Sequence, residues 1–140
     1  MDKNELIKLY RTMLTIRRFE ERISEEFWKG NALGYIHVSI GQEAIPTGVC
    51  NNLLPDDRIV SSHRGHGHCI AKGADLNRMM AELCGRETGY CGGRGGSMHL
   101  FHAASRFYGG NAIVGGGLPL AVGLALADKM NGNDRVTAVF

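Results

Sequence analysis

With 140 residues, 44% of them apolar and 21% charged, the chain has material for one ordinary domain with a sizeable core. A formal net charge of +2 is too small to argue for nucleic acid or an anionic membrane surface as partner. No apolar run approaches the roughly 20 residues of a membrane-spanning helix. Four cysteines without a C-x-x-C pair follow a polar start, Met1-Asp2-Lys3-Asn4-Glu5, that is no signal peptide, so we expect reduced thiols in a cytoplasmic chain.

Asp2 with Glu5 three residues on reads as a capping-box-like helix start. Leu6, Leu9, Met13, Ile16, Phe19, Ile23 and Phe27 follow at spacings of three and four, predicting a long amphipathic helix to Lys29 with Gly30 as stop. Its other face carries Arg11, Arg17, Arg18, Glu21, Arg22, Glu25 and Glu26, either a solvated salt-bridged surface or one that meets a partner. Asn31 to Ile40 has no period and reads as a loop or short extended piece. It contains His37, which has no apolar face to pack on. A second helix runs from Gly41 toward Leu53, with Pro46 tolerated in its first turn.

Pro55-Asp56-Asp57 is a turn, and Arg58 to Ser62 a short strand. The strand feeds His63-Arg64-Gly65-His66-Gly67-His68, ahead of a short helix from Cys69 to Lys72. Such a turn is either a polar connection with scattered histidines or an anion site, in which Arg64 forks onto phosphate oxygens and a helix start supplies free N–H groups. Asp75 caps a helix to Cys84 bearing Leu76, Met79, Met80 and Leu83, and Gly85 ends it. Twenty glycines are the one departure from average composition. The stretch Glu87 to Asn111 is too glycine-rich for a regular helix, yet too apolar and aromatic for a linker, with Met98, Leu100, Phe101, Phe107 and Tyr108. A loop that long is usually functional. A helix follows from Leu120 to Met130, small and apolar nearly all round, which predicts burial. After a turn at Asn131 to Asp134, Arg135 to Phe140 is a strand, giving half of an α/β layer.

Two phosphate signatures are absent. G-x-x-x-x-G-K-[ST] does not occur, and Leu120 occupies the third glycine position of a G-x-G-x-x-G begun by Gly115 and Gly117. His63, His66 and His68 form a conceivable zinc set, which would make the protein a zinc hydrolase, although no fourth ligand follows the spacing.

Five blocks together resemble one family. Met13 to Glu20, His37 with Gly41-Gln42-Glu43-Ala44, Arg64-Gly65-His66-Gly67, Gly93 to His99, and Ile113-Val114-Gly115 with Pro119-Leu120-Ala121 stand in the order found in the α subunit of the thiamine-diphosphate-dependent E1 dehydrogenases. These act on 2-oxo acids or acetoin. The resemblance runs from about Leu9 to Phe140.

It implies an α/β thiamine-diphosphate-binding fold, a parallel sheet flanked by helices, of which residues 1–140 are a helix-rich N-terminal part ending before the family's Mg²⁺-binding motif. It implies that His63 and Arg64 meet the diphosphate, and that the backbone of Ala112 to Val114 meets the aminopyrimidine. His37 is implied beside the thiazolium in proton transfer or acyl hand-off, work that suits an imidazole near neutral pH. Mg²⁺ ligands are expected beyond residue 140, and the carboxylate facing the aminopyrimidine on a partner β subunit, in an α₂β₂ assembly that passes its acyl group to a lipoyl-bearing E2 component. Gly115 to Pro119 looks nearer to acetoin-type members. The alternative from another class is a non-catalytic module that only stabilises a β subunit. The 140 residues alone are expected neither to bind the cofactor tightly nor to catalyse. The substrate and the roles of His66, His68 and His99 stay open.

Overall fold

In the computed structural model, which describes residues 1–140, five helices surround a small parallel sheet. Helix α1 spans Lys3–Trp28 and is capped as its first residues predict, the Asp2 carboxylate accepting the Glu5 N–H at 2.8 Å. Helix α2 is Ala44–Asn51, with Pro46 in its first turn. Strand β1, Arg58–Val60, leads to α3, Gly65–Ala71, and then to α4, Leu76–Leu83, capped by Asp75 accepting the Arg78 N–H. A single 3₁₀ turn, Ala103–Ser105, interrupts the glycine-rich stretch. Helix α5, Gly117–Met130, and strand β2, Thr137–Val139, complete the order. No helix is long and apolar enough to cross a membrane.

One core joins these elements. The α1 stripe contributes Ile16, Phe19 and Ile23, α3 gives Cys69 and Ile70, α4 gives Met79 and Leu83, and β1 gives Ile59. Leu100 and Phe107 reach the same core from the glycine-rich stretch, which is why that stretch is no linker. Truncating a buried side chain of this size, such as Ile23→Ala, costs about 2–5 kcal/mol.

Strands β1 and β2 pair in parallel with Arg58 opposite Thr137 and Val60 opposite Val139. On the other edge of β1, the Ile59 N–H donates to the Arg106 carbonyl and the Tyr108 N–H donates back to Ile59. Residues 106–108 therefore flank β1, and its apolar run Ile59-Val60 is fully buried, as a central parallel strand requires.

Two elements depart from the sequence reading. Helix α3 begins at Gly65 rather than Cys69, so His66 and His68 lie on a buried helix and not in a polar turn. Tertiary packing overrides the poor helix propensity of two glycines there. A Cβ at Gly67 would stand 2.7 Å from Ser39 Oγ, so only glycine lets α3 approach that closely. Helix α5 begins at Gly117, with Pro119 in its first turn, and is mostly exposed rather than buried. Gly117, Ala121 and Asp128 face the sheet, while Leu118, Leu120, Val122, Leu126 and Met130 are open to solvent. Asp128 anchors the helix through Arg58 at 2.9 Å and Arg135 at 3.3 Å. Its small residues do allow close approach, but on one side only.

Candidate functional site

The carboxyl ends of β1 and β2 are where an open parallel sheet presents a crevice. At the end of β1 the chain passes through Ser61, Ser62, His63 and Arg64 into α3. Arg64 takes a left-handed backbone with φ 64°, uncommon for a residue with a Cβ. Its guanidinium is exposed and donates to the Val38 carbonyl. That bond ties the end of β1 to the loop carrying His37.

His37 is half-buried. Its ring meets the His63 ring edge-on, with centroids 4.8 Å apart at 88°. Burial, with the positive potential of His63, Arg64 and His66, pushes the His37 imidazole below its ordinary value. A neutral ring at neutral pH accepts a proton. The His37 amide donates to Ser97 Oγ at 3.1 Å. His37, His63 and Arg64, three of the predicted site residues, are thus gathered in one place.

Ala112 and Val114 lie on the exposed loop before α5. Asn111 organises that loop, accepting the Ile113 N–H at 2.9 Å and reaching the Ser61 carbonyl at 3.5 Å. The amides of Ala112, Val114, Gly115 and Gly117 have no acceptor within the chain. Ser62, Val114, Gly117 and Phe140 share in lining a cavity of about 250 Å³ at the strand ends.

The three histidines proposed for zinc do not converge. His66 is fully buried, with Nδ1 2.9 Å from Glu20 Oε2 and Nε2 2.9 Å from Ser97 Oγ, so both ring nitrogens are engaged. His68 lies 2.6 Å from Ser61 Oγ and stacks on Phe140 at 4.0 Å. Burial drives its imidazole down to about 4. His63 faces His37 instead. No group of three metal-capable side chains forms there or elsewhere. His99 is exposed, and its carbonyl lies 3.5 Å from the Cys91 thiol.

Two carboxylates escaped the sequence reading. Glu20 is fully buried on α1, its Oε1 accepting from the Ser39 amide at 3.0 Å and the Ser39 hydroxyl at 2.7 Å. Glu82, on α4, accepts backbone N–H groups from Cys91 at 2.7 Å, Gly93 at 2.8 Å, Gly95 at 2.7 Å and Gly96 at 3.1 Å. Burial raises its carboxyl value, but the four amides outweigh burial and hold it below the ordinary one. The signal was present: Glu20 falls four residues after Ile16 and three before Ile23, and Glu82 three after Met79. A carboxylate on an apolar stripe needs buried donors.

The model of the family described as dehydrogenase E1 component matches residues 11–140. The α subunit of acetoin:2,6-dichlorophenolindophenol oxidoreductase from Cupriavidus necator is 46% identical over 140 residues, covering 100% of this chain and 42% of the relative. The protein of the same name from Bacillus subtilis has the same identity and coverage. The α subunit of the pyruvate dehydrogenase E1 component from Zymomonas mobilis is 44% identical, covering 99% of this chain and 40% of its own length. This chain therefore spans about two fifths of the relatives it matches, and every one of these names is that of an enzyme subunit.

Proposed function

The chain belongs to the dehydrogenase E1 component family, and from that premise we propose that it is part of the α subunit of a thiamine-diphosphate-dependent dehydrogenase that cleaves acetoin or a 2-oxo acid. The observation that carries the reading is the gathering of His37, His63 and Arg64 at the carboxyl end of β1, inside the matched segment.

The residues present suit the cofactor. Arg64 offers an exposed guanidinium, and His63 an adjacent imidazole, for two charged phosphates. The unpartnered amides of Ala112 and Val114, with their carbonyls, offer backbone donors and acceptors to an aminopyrimidine beside the cavity. Thiamine diphosphate, when bound, supplies the electron sink for cleaving a bond next to a carbonyl. His37, kept neutral by its surroundings, would take a proton from acetoin's hydroxyl or, with a 2-oxo acid, assist proton transfer at the former carbonyl oxygen or the acyl hand-off. Mg²⁺ would be held by residues beyond 140, and a partner β subunit would supply the carboxylate facing the aminopyrimidine, in a cytoplasmic α₂β₂ assembly. A lipoyl-bearing E2 component would accept the acyl group.

The test is to co-express the complete gene with its β subunit and follow reduction of 2,6-dichlorophenolindophenol. We expect reduction that depends on thiamine diphosphate and on acetoin or a 2-oxo acid, with a preference that assigns the substrate. No reduction with acetoin, pyruvate or branched 2-oxo acids overturns the reading.

A further inference from the structure

We infer that Ser97 is a positioning residue for His37, and that Glu20 and His66 hold Ser97 to that task. The inference rests on the proposed role of His37 and adds to it a buried chain that no catalytic step uses.

The direction of the chain follows from its hydrogen-bonding capacities. An ionised Glu20 carboxylate only accepts, so the His66 nitrogen facing it, Nδ1 at 2.9 Å, carries the proton. With the ring proton on Nδ1, Nε2 is the acceptor, and Ser97 Oγ at 2.9 Å is placed to donate its hydroxyl proton to it. The remaining lone pairs of Ser97 Oγ face the His37 amide, which donates at 3.1 Å. Each group has one orientation that satisfies its neighbour, and a satisfied buried network rigidifies the residues it joins. Glu20 and His66 are fully buried and Ser97 is 6% exposed, so water offers little competition.

The same carboxylate holds the other end of the His37 segment. Its Oε1 accepts both the amide and the hydroxyl of Ser39. Between them, the Val38 carbonyl accepts from Arg64. Three consecutive residues, His37, Val38 and Ser39, are thus each tied by a different element: the glycine-rich loop, the β1–α3 connection and α1. The contact between Gly67 and Ser39 presses α3, which carries His66, against this clamp. With the backbone fixed at every residue, the direction in which the His37 side chain leaves it is fixed as well. Held by a single contact, a loop residue would wander by the ångström that costs a catalytic group much of its rate.

The experiment uses the complete α chain assembled with its β subunit and compares Ser97→Ala, His66→Asn, the double variant and Ser97→Thr. His66→Asn keeps a donor near the Nδ1 position for Glu20 but is too short to reach Ser97. Two readouts are taken. One is kcat, KM and thiamine diphosphate affinity. The other is deuterium exchange at His37 Cε1, followed by mass spectrometry against pH without cofactor, which reports the imidazole environment directly. We expect Ser97→Ala to lower kcat about 10–100-fold, the scale of a misplaced catalytic group, with KM and cofactor affinity nearly unchanged. We expect it also to shift the His37 exchange profile. His66→Asn should reproduce both effects, the double variant should be no worse than either single one, and Ser97→Thr should recover most of kcat. Unchanged kcat and unchanged His37 exchange in Ser97→Ala overturn the positioning role. Additive losses in the double variant overturn the chain through His66. If the unsubstituted assembly turns over neither acetoin nor a 2-oxo acid, the functional reading fails, and the exchange profiles alone decide whether Ser97 positions His37.

Discussion

Two buried carboxylates organise this protein in opposite ways. Glu82 is met by four main-chain amides from residues 91–96, all supplied by one loop. Glu20 is met by the Ser39 amide and hydroxyl and by His66, on elements 19 and 46 residues away. The Glu82 arrangement is local architecture. Backbone amides do not titrate, and its result is a loop of fixed shape that sets down Ser97 next to Gly96. The Glu20 arrangement is made almost entirely of side chains and ends on the segment carrying His37. One carboxylate shapes the loop; the other connects that loop to the candidate site. At Gly93 the loop also passes so near the end of α4 that a Cβ would lie 2.5 Å from the Gly85 carbonyl carbon, so that position leaves no room for a side chain.

The contrast can be broken at either end. The largest effect is expected at the Glu20 end, where His37→Ala in the complete assembly should lower turnover by roughly 10²–10⁴ with cofactor affinity nearly intact, as for a general acid–base group. A turnover within a factor of about three would make His37 a loop residue only. At the other end, Glu82→Ala should lower stability to urea unfolding by about 2–4 kcal/mol, because several amides lose their acceptor at once. Amide exchange should rise across residues 91–97 in that variant, and a protected loop would show that its shape does not depend on Glu82.

Arg64 holds the Val38 carbonyl, between the residues that Ser97 and Glu20 hold. Arg64→Ala should weaken thiamine diphosphate binding by about 1.5–3 kcal/mol, the worth of a charged hydrogen bond. Unchanged affinity by calorimetry would remove Arg64 from the diphosphate site. The smallest effect is one of pH. His68 titrates near 6.5 when unfolded but at about 4 in the fold, so the unfolded chain binds more protons between these values. Its stabilisation is fully present above about pH 6.5 and is lost as pH falls toward about 4. Urea unfolding at pH 5 should therefore show about 2 kcal/mol less stability than at pH 7. The Glu82 carboxyl, held below its ordinary value, keeps its amides over that range, so the contacts of His68 with Ser61 and Phe140 should loosen before the Glu82 loop does. Equal stability at the two pH values would mean that His68 is not buried as a neutral ring.

Much of this was legible in the order of residues. The three-and-four spacing of α1, the caps Asp2 and Asp75, the apolar pair of β1 and the aromatic content of the glycine-rich stretch each act over a few residues, and each appears where local chemistry puts it. Five short motifs in one order carried the family, because several weak patterns in sequence are far more specific than one. Composition also set what α5 is made of.

What the sequence could not decide was where three-dimensional neighbours would lie. A small-residue helix packs closely against something, but which side of α5 is covered depends on the sheet and on the Asp128 anchor, and most of its apolar surface stays open. Two glycines argue against a helix at 65–67, yet the space between Ser39 and Ile16 admits nothing larger at Gly67, so packing outweighs propensity. Glu20, His66 and Ser97 are separated by 46 and 31 residues, and no spacing rule joins them. Hydrogen bonding acts over about 3 Å, and only the folded chain brings groups so distant in sequence within that reach.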